Sequence, residues 1–518
     1  MVATLAGFAE YRLEQMRGGM EQSKAVSQTR IDGRAAFTCA AYLIGVGLTF
    51  LLERIGAPNG LVRVLAPILA LAAIVLIGAL TRTTRIAAFY AADHAGAPRY
   101  GAAAYAAIAA SLVACAAQDG GLAAPRLAAL AVGFALAALI VAPLARSVGA
   151  TSLRDVVSAR YKILPLRLVL AGACFAIGVL IAAAGYEVAA DTLPNLLGLS
   201  RDGAIAAIGV ILALIVAPGG LAGLFWVAAA AAGMIGLVLF LPIGWRIAAD
   251  SGAGAPLLGG GAEIAASLAR AAARLSAAPP ARSGFDDVAV ALGAAILPPL
   301  ATSAFASAAA SSARRAGLFG IAASVLFALA FALGAPLWQA YQGVAGPSLR
   351  ASALLISAIL CAAAGVHTAS RATSAESAYG YENVLASARL ARSRGLALLA
   401  VGIGALCALN HAVRPAEALV GALALSLAFL GPPLALAASS RSRAVHAIAS
   451  VATSLATIAA LAWTNGSAFV LAQAPAVALT GAAAGFALGW AASLFGGSPR
   501  QAEPPATLFV ESPFDPGA

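Results

Sequence analysis

Acid–base or metal chemistry needs histidines, cysteines and carboxylates at workable spacings. The four histidines stand at 94, 367, 411 and 446, and no two share helical spacing. Cys39, Cys115, Cys174, Cys361 and Cys407 show no metal-ligand spacing and fall in apolar runs, so they read as small buried hydrophobes. There is no glycine-rich phosphate loop and no nucleophile elbow, so neither an enzyme nor a resident metal or cofactor is expected. Three groupings remain. In "AAAGVHTASRATSAESAYGYENV" (Ala362–Val384), His367 and Arg371 sit one turn apart at the end of a greasy helix. An ionisable group inside a span is costly enough to be a functional candidate, so His367 is the proton-coupling candidate, against a histidine merely satisfied by its neighbours. Arg371 suits a helix end, where a cation complements the dipole. Thr368, Ser370, Thr373 and Ser374 are expected to bond back to carbonyls a turn earlier. Glu187 and Asp191, four apart, share a face and either attract a cation at an outer vestibule or stand as solvated loop-end charges. Pro298–Pro299 removes two consecutive backbone donors and frees upstream carbonyls, which marks either a broken helix or a simple kink.

The elements that carry these groups are set by composition. Hydrophobic residues make up 62% of the 518 and charged residues 10%, with a mean hydropathy of +0.92. Too few charges are present to cover a soluble exterior, so the surroundings must be lipid. In lipid only helices or closed barrels satisfy their own backbone, and long unbroken apolar runs select helices. About fourteen spans are expected: 35–56, 62–82, 100–118, 126–146, 167–190, 203–219, 221–245, 287–305, 315–338, 348–370, 394–410, 415–437, 443–463 and 468–495. Abundant Ala and Gly permit close helix contact.

Charge orients the bundle. With the N-terminus inside, the outer segments hold Arg54, Arg63, Arg126, Arg201, Arg246, Arg270, Arg274, Arg282, Arg350 and Arg414, and the other 22 of the 32 basic residues lie inside. The net charge of +11 therefore reads as topology, not as a nucleic-acid partner. The partner expected is the lipid bilayer, and both termini are expected in the cytoplasm of a bacterial cell, with the chain in the inner membrane. Residues 1–34 read as a cytoplasmic tail rather than a cleavable signal, 246–286 as an outer loop whose "AEIAASLARAAARL" could lie on the surface, and 496–518 as a disordered tail.

Five segments, in order and with compatible spacing from about 80 to 495, resemble the sodium/solute symporter family, nearest its acetate-permease branch. They are "RTTRIAAFYAADHAGAPRYGAAAYAA" (Arg82–Ala107), "TSLRDVVSARY" (Thr151–Tyr161), "APGGLAGLFW" (Ala217–Trp226), "LGAAILPPLATSAF" followed by "SSARRAGLFG", and the stretch that holds His367. The resemblance implies an all-α, LeuT-type fold: five-plus-five inverted repeats, here 100–245 and 287–437, flanked by two peripheral helices in 35–82 and two more in 443–495. It also implies a binding centre at the midplane, where the first helix of each repeat is broken and free half-helix N–H groups face a carboxylate. Tyr105, Ser111, Pro298, Pro299 and Thr302 are then substrate-lining candidates, with core packing as the alternative for Tyr105 and Ser111.

At the family's ion positions this chain departs from the pattern. Ala107 stands where an aspartate is usual, and Cys361 and Ala362 replace paired hydroxyls. Pro299 and Ser303 replace the branch's His and Arg. Ala107, Ser357, Cys361 and Ala362 are the ion-site candidates, with backbone carbonyls, Ser111, Ser357 or Thr302 as substitute ligands. The resemblance implies a cation-coupled secondary transporter for a small organic solute such as a monocarboxylate, with Na+ as the possible coupling ion. A proton-coupled or ion-independent carrier is an alternative, as is a non-transporting membrane receptor or assembly protein.

Overall fold

The computed structural model describes residues 36–92, 97–118, 124–147, 150–161, 163–251, 284–339, 345–371, 386–412, 414–437, 441–466 and 473–495, with a few single positions besides. The tail expected over 1–34, the surface helix expected in the 246–286 loop, Thr373, Ser374 and the tail 496–518 lie outside them, apart from single positions such as Gly33.

Two helices come first, α1 (Ala36–Arg54) and α2 (Asn59–Leu80), and then the short α3 (Ile86–Ala91). Next are α4 (Pro98–Ala116), α5 (Pro125–Ser147), the short α6 (Leu153–Tyr161), α7 (Leu164–Leu197) and α8 (Arg201–Ser251). Beyond the loop come α9 (Gly284–Ala295), α10 (Pro298–Phe305), α11 (Ala310–Gln339), α12 (Ala345–Arg371), α13 (Ala386–Leu409) and α14 (Pro415–Ala437). A final pair, α15 (Ala444–Asn465) and α16 (Ala474–Phe495), packs as a hairpin.

Twelve stretches among the described residues are helical, long and apolar enough to cross a membrane. One of them, Arg201–Phe240, is two arms. Gly220 has φ 54° and ψ −132°, which only glycine adopts readily, and it divides α8 between the expected spans 203–219 and 221–245. The span expected over 315–338 lies inside α11. The expected span 167–190 is short by several residues at its far end, since α7 runs on to Leu197. Helix also continues past 245 to Ser251, into the segment expected to be loop.

Side-chain bonds sort the helix ends onto two faces. On one, Arg146 donates from Nε to the Ser307 carbonyl at 2.9 Å and from Nη2 to that of Ala308 at 3.0 Å. On the same face Arg160 donates to Ser439 O at 3.3 Å and Arg394 to Thr83 O at 2.7 Å. On the other face the Ala345 N–H donates to Glu53 at 3.1 Å and the Ser348 hydroxyl to Arg63 O at 2.6 Å. The first is called the basic face below.

The core pairing is reciprocal. The first helix of the leading set, α4, packs on the second of the trailing set, α11, while α5 packs on α9, and α7 packs on α12, third on third. Such an exchange is what a twofold axis in the membrane plane requires of an inverted repeat. Orientation agrees. The start of α4 at Gly101 lies beside Ser307 and Ala316, just past the end of α10, so α4 and α9–α10 run in opposite directions.

The two central helices are α4 and α12, each with 83% of its spanning window buried, against 28% for the peripheral α1 and α15. Close approach holds α12 to α7. A methyl at Gly365 would lie 2.4 Å from Ala182 N, and one at Gly178 would lie 2.5 Å from Ala369 N. Small residues let two backbones touch, and dispersion across that contact replaces the hydrophobic drive that lipid does not supply.

Candidate functional site

The centre is built on one break. Leu297 is extended (φ −69°, ψ 118°), and Pro298 and Pro299 occupy the first two positions of α10. The sequence dictates this locally, because a proline pushes the residue before it out of the helical region. Consecutive residues at the break line different pockets. Leu297 lines an apolar pocket toward the face opposite the basic one, with Leu112, Phe134, Val290 and Leu423. Pro298 lines a pocket toward the basic face, with Arg154, Thr302, His367 and Arg371.

Two expectations are corrected here. The helix α4 is not broken. It runs without interruption from Pro98 to Ala116, because nothing after Gly101 interrupts an Ala-rich run and Ser111 closes back on the Ala107 carbonyl at 2.6 Å. Nor does α10 offer a row of N–H groups to a carboxylate. Its first two residues lack them, and the Leu300 N–H is bonded to Leu297 O at 3.1 Å.

The sequence candidates are scattered around this break. Tyr105 is buried, and its hydroxyl donates to Phe134 O at 2.6 Å, tying α4 to α5. Pro299 is buried, and its carbonyl accepts from the Thr302 hydroxyl at 2.6 Å. Cys361 points its thiol at Ile181 O, 3.6 Å away across the α7 contact, and Ala362 abuts Gly185. Ser357 is fully buried, and its hydroxyl has no partner among the described residues. Thr368 and Ser370 bond back to Ala364 O and His367 O, at 2.8 and 2.7 Å.

This donor set does not fit a sodium ion. A hard cation takes oxygen ligands. Of the four ion-site candidates only Ser357 has a side-chain oxygen, and the Ala107 carbonyl already accepts from Ser111 within an unbroken helix.

Arg371 stands in the last turn of α12, where a cation suits the helix dipole, and it is also buried. It is 8% exposed. Its Nη1 donates to Tyr90 O, its Nη2 donates to the Thr151 hydroxyl at 2.6 Å, and the guanidinium lies 5.1 Å from the Tyr90 ring centre. It thus joins α12 to α3 and to the loop before α6. Beside it Arg154 is buried, and Asp155 accepts from the Thr151 hydroxyl at 2.7 Å. His367 is 2% exposed, and its Nδ1 has no partner among the described residues.

On the opposite face Glu187 and Asp191 do not form a bare acidic pair. Arg201 donates to both carboxylates, and His411 Nδ1 stands 3.9 Å from Glu187. Sequence reasoning missed Arg201 as the partner. The only signal was a lone arginine opening the next helix.

No family model and no curated protein matches the sequence. Among solved structures, a Na+-coupled sialic acid symporter in its substrate-bound, outward-open state superposes with a TM-score of 0.65 at 13% identity, covering 85% of this chain and 98% of that one. A manganese transporter of Eremococcus coleocola aligns more loosely, with a TM-score of 0.44 at 15% identity over 77% of this chain and 94% of that one. The first likeness shows the fold: a multi-pass helical bundle of the LeuT type.

Proposed function

We propose that this protein is a secondary active transporter, not an enzyme, and that it moves a small organic solute across the bacterial inner membrane by alternating access between the two sets of five helices, 100–245 and 287–437. One observation carries the reading: a helix interrupted at Leu297–Pro298 with a pocket abutting it from either face. A solute path in a membrane tolerates irregular backbone only where protein shields it, and the buried break between Leu297 and Pro299 satisfies that condition. Both termini lie in the cytoplasm in this reading, because the basic face collects the arginine-rich helix ends. A monocarboxylate is the favoured solute, from the acetate-permease resemblance.

Coupling to Na+ follows from the same resemblance and from the sialic acid symporter's fold, but the donor set around Ala107, Cys361 and Ala362 supports a second reading, a carrier that runs on protons or on no ion. His367 is then the proton-coupling candidate. Arg154 and Arg371 in the same pocket oppose a third cation there, which favours the ion-independent form. Uptake of labelled acetate, pyruvate and proline into proteoliposomes, under a sodium gradient, a proton gradient or neither, tests the reading. Accumulation of at least one solute is expected. Absence of uptake under all three conditions, with a stable protein partner recovered by pull-down, would replace transport with a receptor or assembly role.

A further inference from the structure

The start of α4, the arm of α8 beyond Gly220 and α11 leave a groove between them. Its volume is about 710 Å³, and it is lined by Ala103 and Ala106 of α4, Gly233 of α8 and Phe319 and Phe327 of α11, with Arg99 at one end. That is within the range of sites that take a whole small molecule. The sequence hollows it out, because α4 and α8 offer only alanine and glycine there while α11 supplies rings along one face. The groove opens sideways. Phe319 is 68% exposed and its neighbour Leu318 55%, which in an apolar bundle means exposure to lipid.

The end at the basic face is polar. There Gly101 abuts Ser307 and Ala316. Arg99 is exposed, donates from Nη2 to the Tyr100 hydroxyl at 3.3 Å, and holds its guanidinium 4.8 Å from the Tyr100 ring centre. Tyr100 in turn packs against Trp226, ring centres 5.0 Å apart. Tyrosine and tryptophan settle at the level of lipid headgroups, so this pair marks where headgroups begin. Arg315, also exposed, stands one turn before Phe319 and adds a second cation at the same end. From Phe319 to Phe327 the stripe climbs about 12 Å along the helix axis, into the hydrocarbon of one leaflet.

We propose that this groove binds an anionic phospholipid from the leaflet on the basic face, with an acyl chain between α4 and α11 and the phosphate beside Arg99 and Arg315. A chain gains no hydrophobic drive by leaving bulk lipid, so dispersion against the walls retains it and headgroup charge decides which lipid binds. Arginines at a membrane surface draw anionic headgroups. They also favour a lipid over a second copy of this chain, whose own basic face would meet them at the same level. The site is independent of the transport reading, since a receptor of this fold would carry the same groove.

The test is native mass spectrometry of the full-length protein, incubated in detergent with equimolar phosphatidylglycerol and phosphatidylcholine of identical chains. Phosphatidylglycerol is expected to be retained about tenfold or more over phosphatidylcholine, and Arg99→Gln and Arg315→Gln should each lower that preference about fivefold. Gly233→Leu fills the groove and should reduce retention of both lipids. A methyl there meets only Cys39 Sγ, at 3.9 Å, so the fold has room for the change. Ala103→Leu is the second filling variant should Gly233→Leu unfold. Equal retention of the two lipids overturns the site, as does an unaltered preference in both arginine variants or undiminished retention in both filling variants. Displacement of the lipid by glycerol phosphate alone would make this a bare anion site and overturn the lipid assignment. A dimer that carries no lipid and dissociates in Gly233→Leu would give the groove to a second copy, and overturn it too.

Discussion

At the scale of single residues, charge inside an apolar bundle is the most demanding feature, and Glu187 shows how one such charge is answered. Glu187 keeps 7% of its side chain exposed, and Arg201, a quarter exposed, answers it. Removing the cation leaves a carboxylate with little water around it. Arg201→Ala should therefore cost about 3 kcal/mol, the low end for breaking a buried pair because Arg201 retains some solvent. Thermal unfolding measures the loss, and Glu187→Gln added to that variant should recover most of it. A loss that persists in the double variant would show that Arg201 acts instead through Asp191 or the Ala408 carbonyl. Neither this pair nor the bracing of Arg371 was legible in the sequence. Glu187 lies 14 positions before Arg201, across a helix end, and Tyr90 lies 281 positions before Arg371, so no local pattern links them. The Pro298–Pro299 break was legible, because its cause is carried within two adjacent residues.

At the scale of elements, two devices hold the core: the close contact of α7 with α12 and the kink at Gly220 within α8. Gly220 sits at φ 54° with Phe89 O 2.5 Å from where a methyl would go, and the neighbouring Pro218 carbonyl accepts from the Thr83 N–H at 3.2 Å. Gly220→Ala should therefore cost about 1–3 kcal/mol in backbone strain, beyond the clash itself. Thermal unfolding of the purified variant checks this, and an unchanged midpoint would mean that the turn relaxes freely. The expectation that α4 would be interrupted rested on a short span and a glycine near its start. An interruption needs a residue that cannot hold helical geometry, and none lies between Ala102 and Ala116. Two π-helical turns, Ala137–Val141 in α5 and Ser426–Leu430 in α14, had no sequence signal, since their apolar residues are ordinary helix formers.

At the scale of the whole molecule, the alternation of helix ends between two faces makes a prediction about sidedness. In a cysteine-free background, Ser147→Cys and Asn195→Cys place thiols at exposed positions near opposite faces. A membrane-impermeant maleimide added to intact cells should label the Asn195 variant and spare the Ser147 variant, with the reverse in inverted vesicles. Labelling of both from one side would undo the assignment of faces. The class of architecture was legible from composition and charge because lipid leaves so few alternatives. The inverted repeat came from the resemblance, whereas the reciprocal pairing of α4 with α11 and of α5 with α9 was not readable from periodicity, since small apolar residues surround these helices on every side.

The two pockets meet the chain at adjacent residues. Leu297 belongs to one chamber and Pro298 to the other. Behind them stands a rod of eight residues, α10, whose far end is clamped by Arg146 through the Ser307 and Ala308 carbonyls. The short rod and its anchor thus form one unit, and the place of the break in the bundle is fixed from the far end by the hold of Arg146 on two carbonyls.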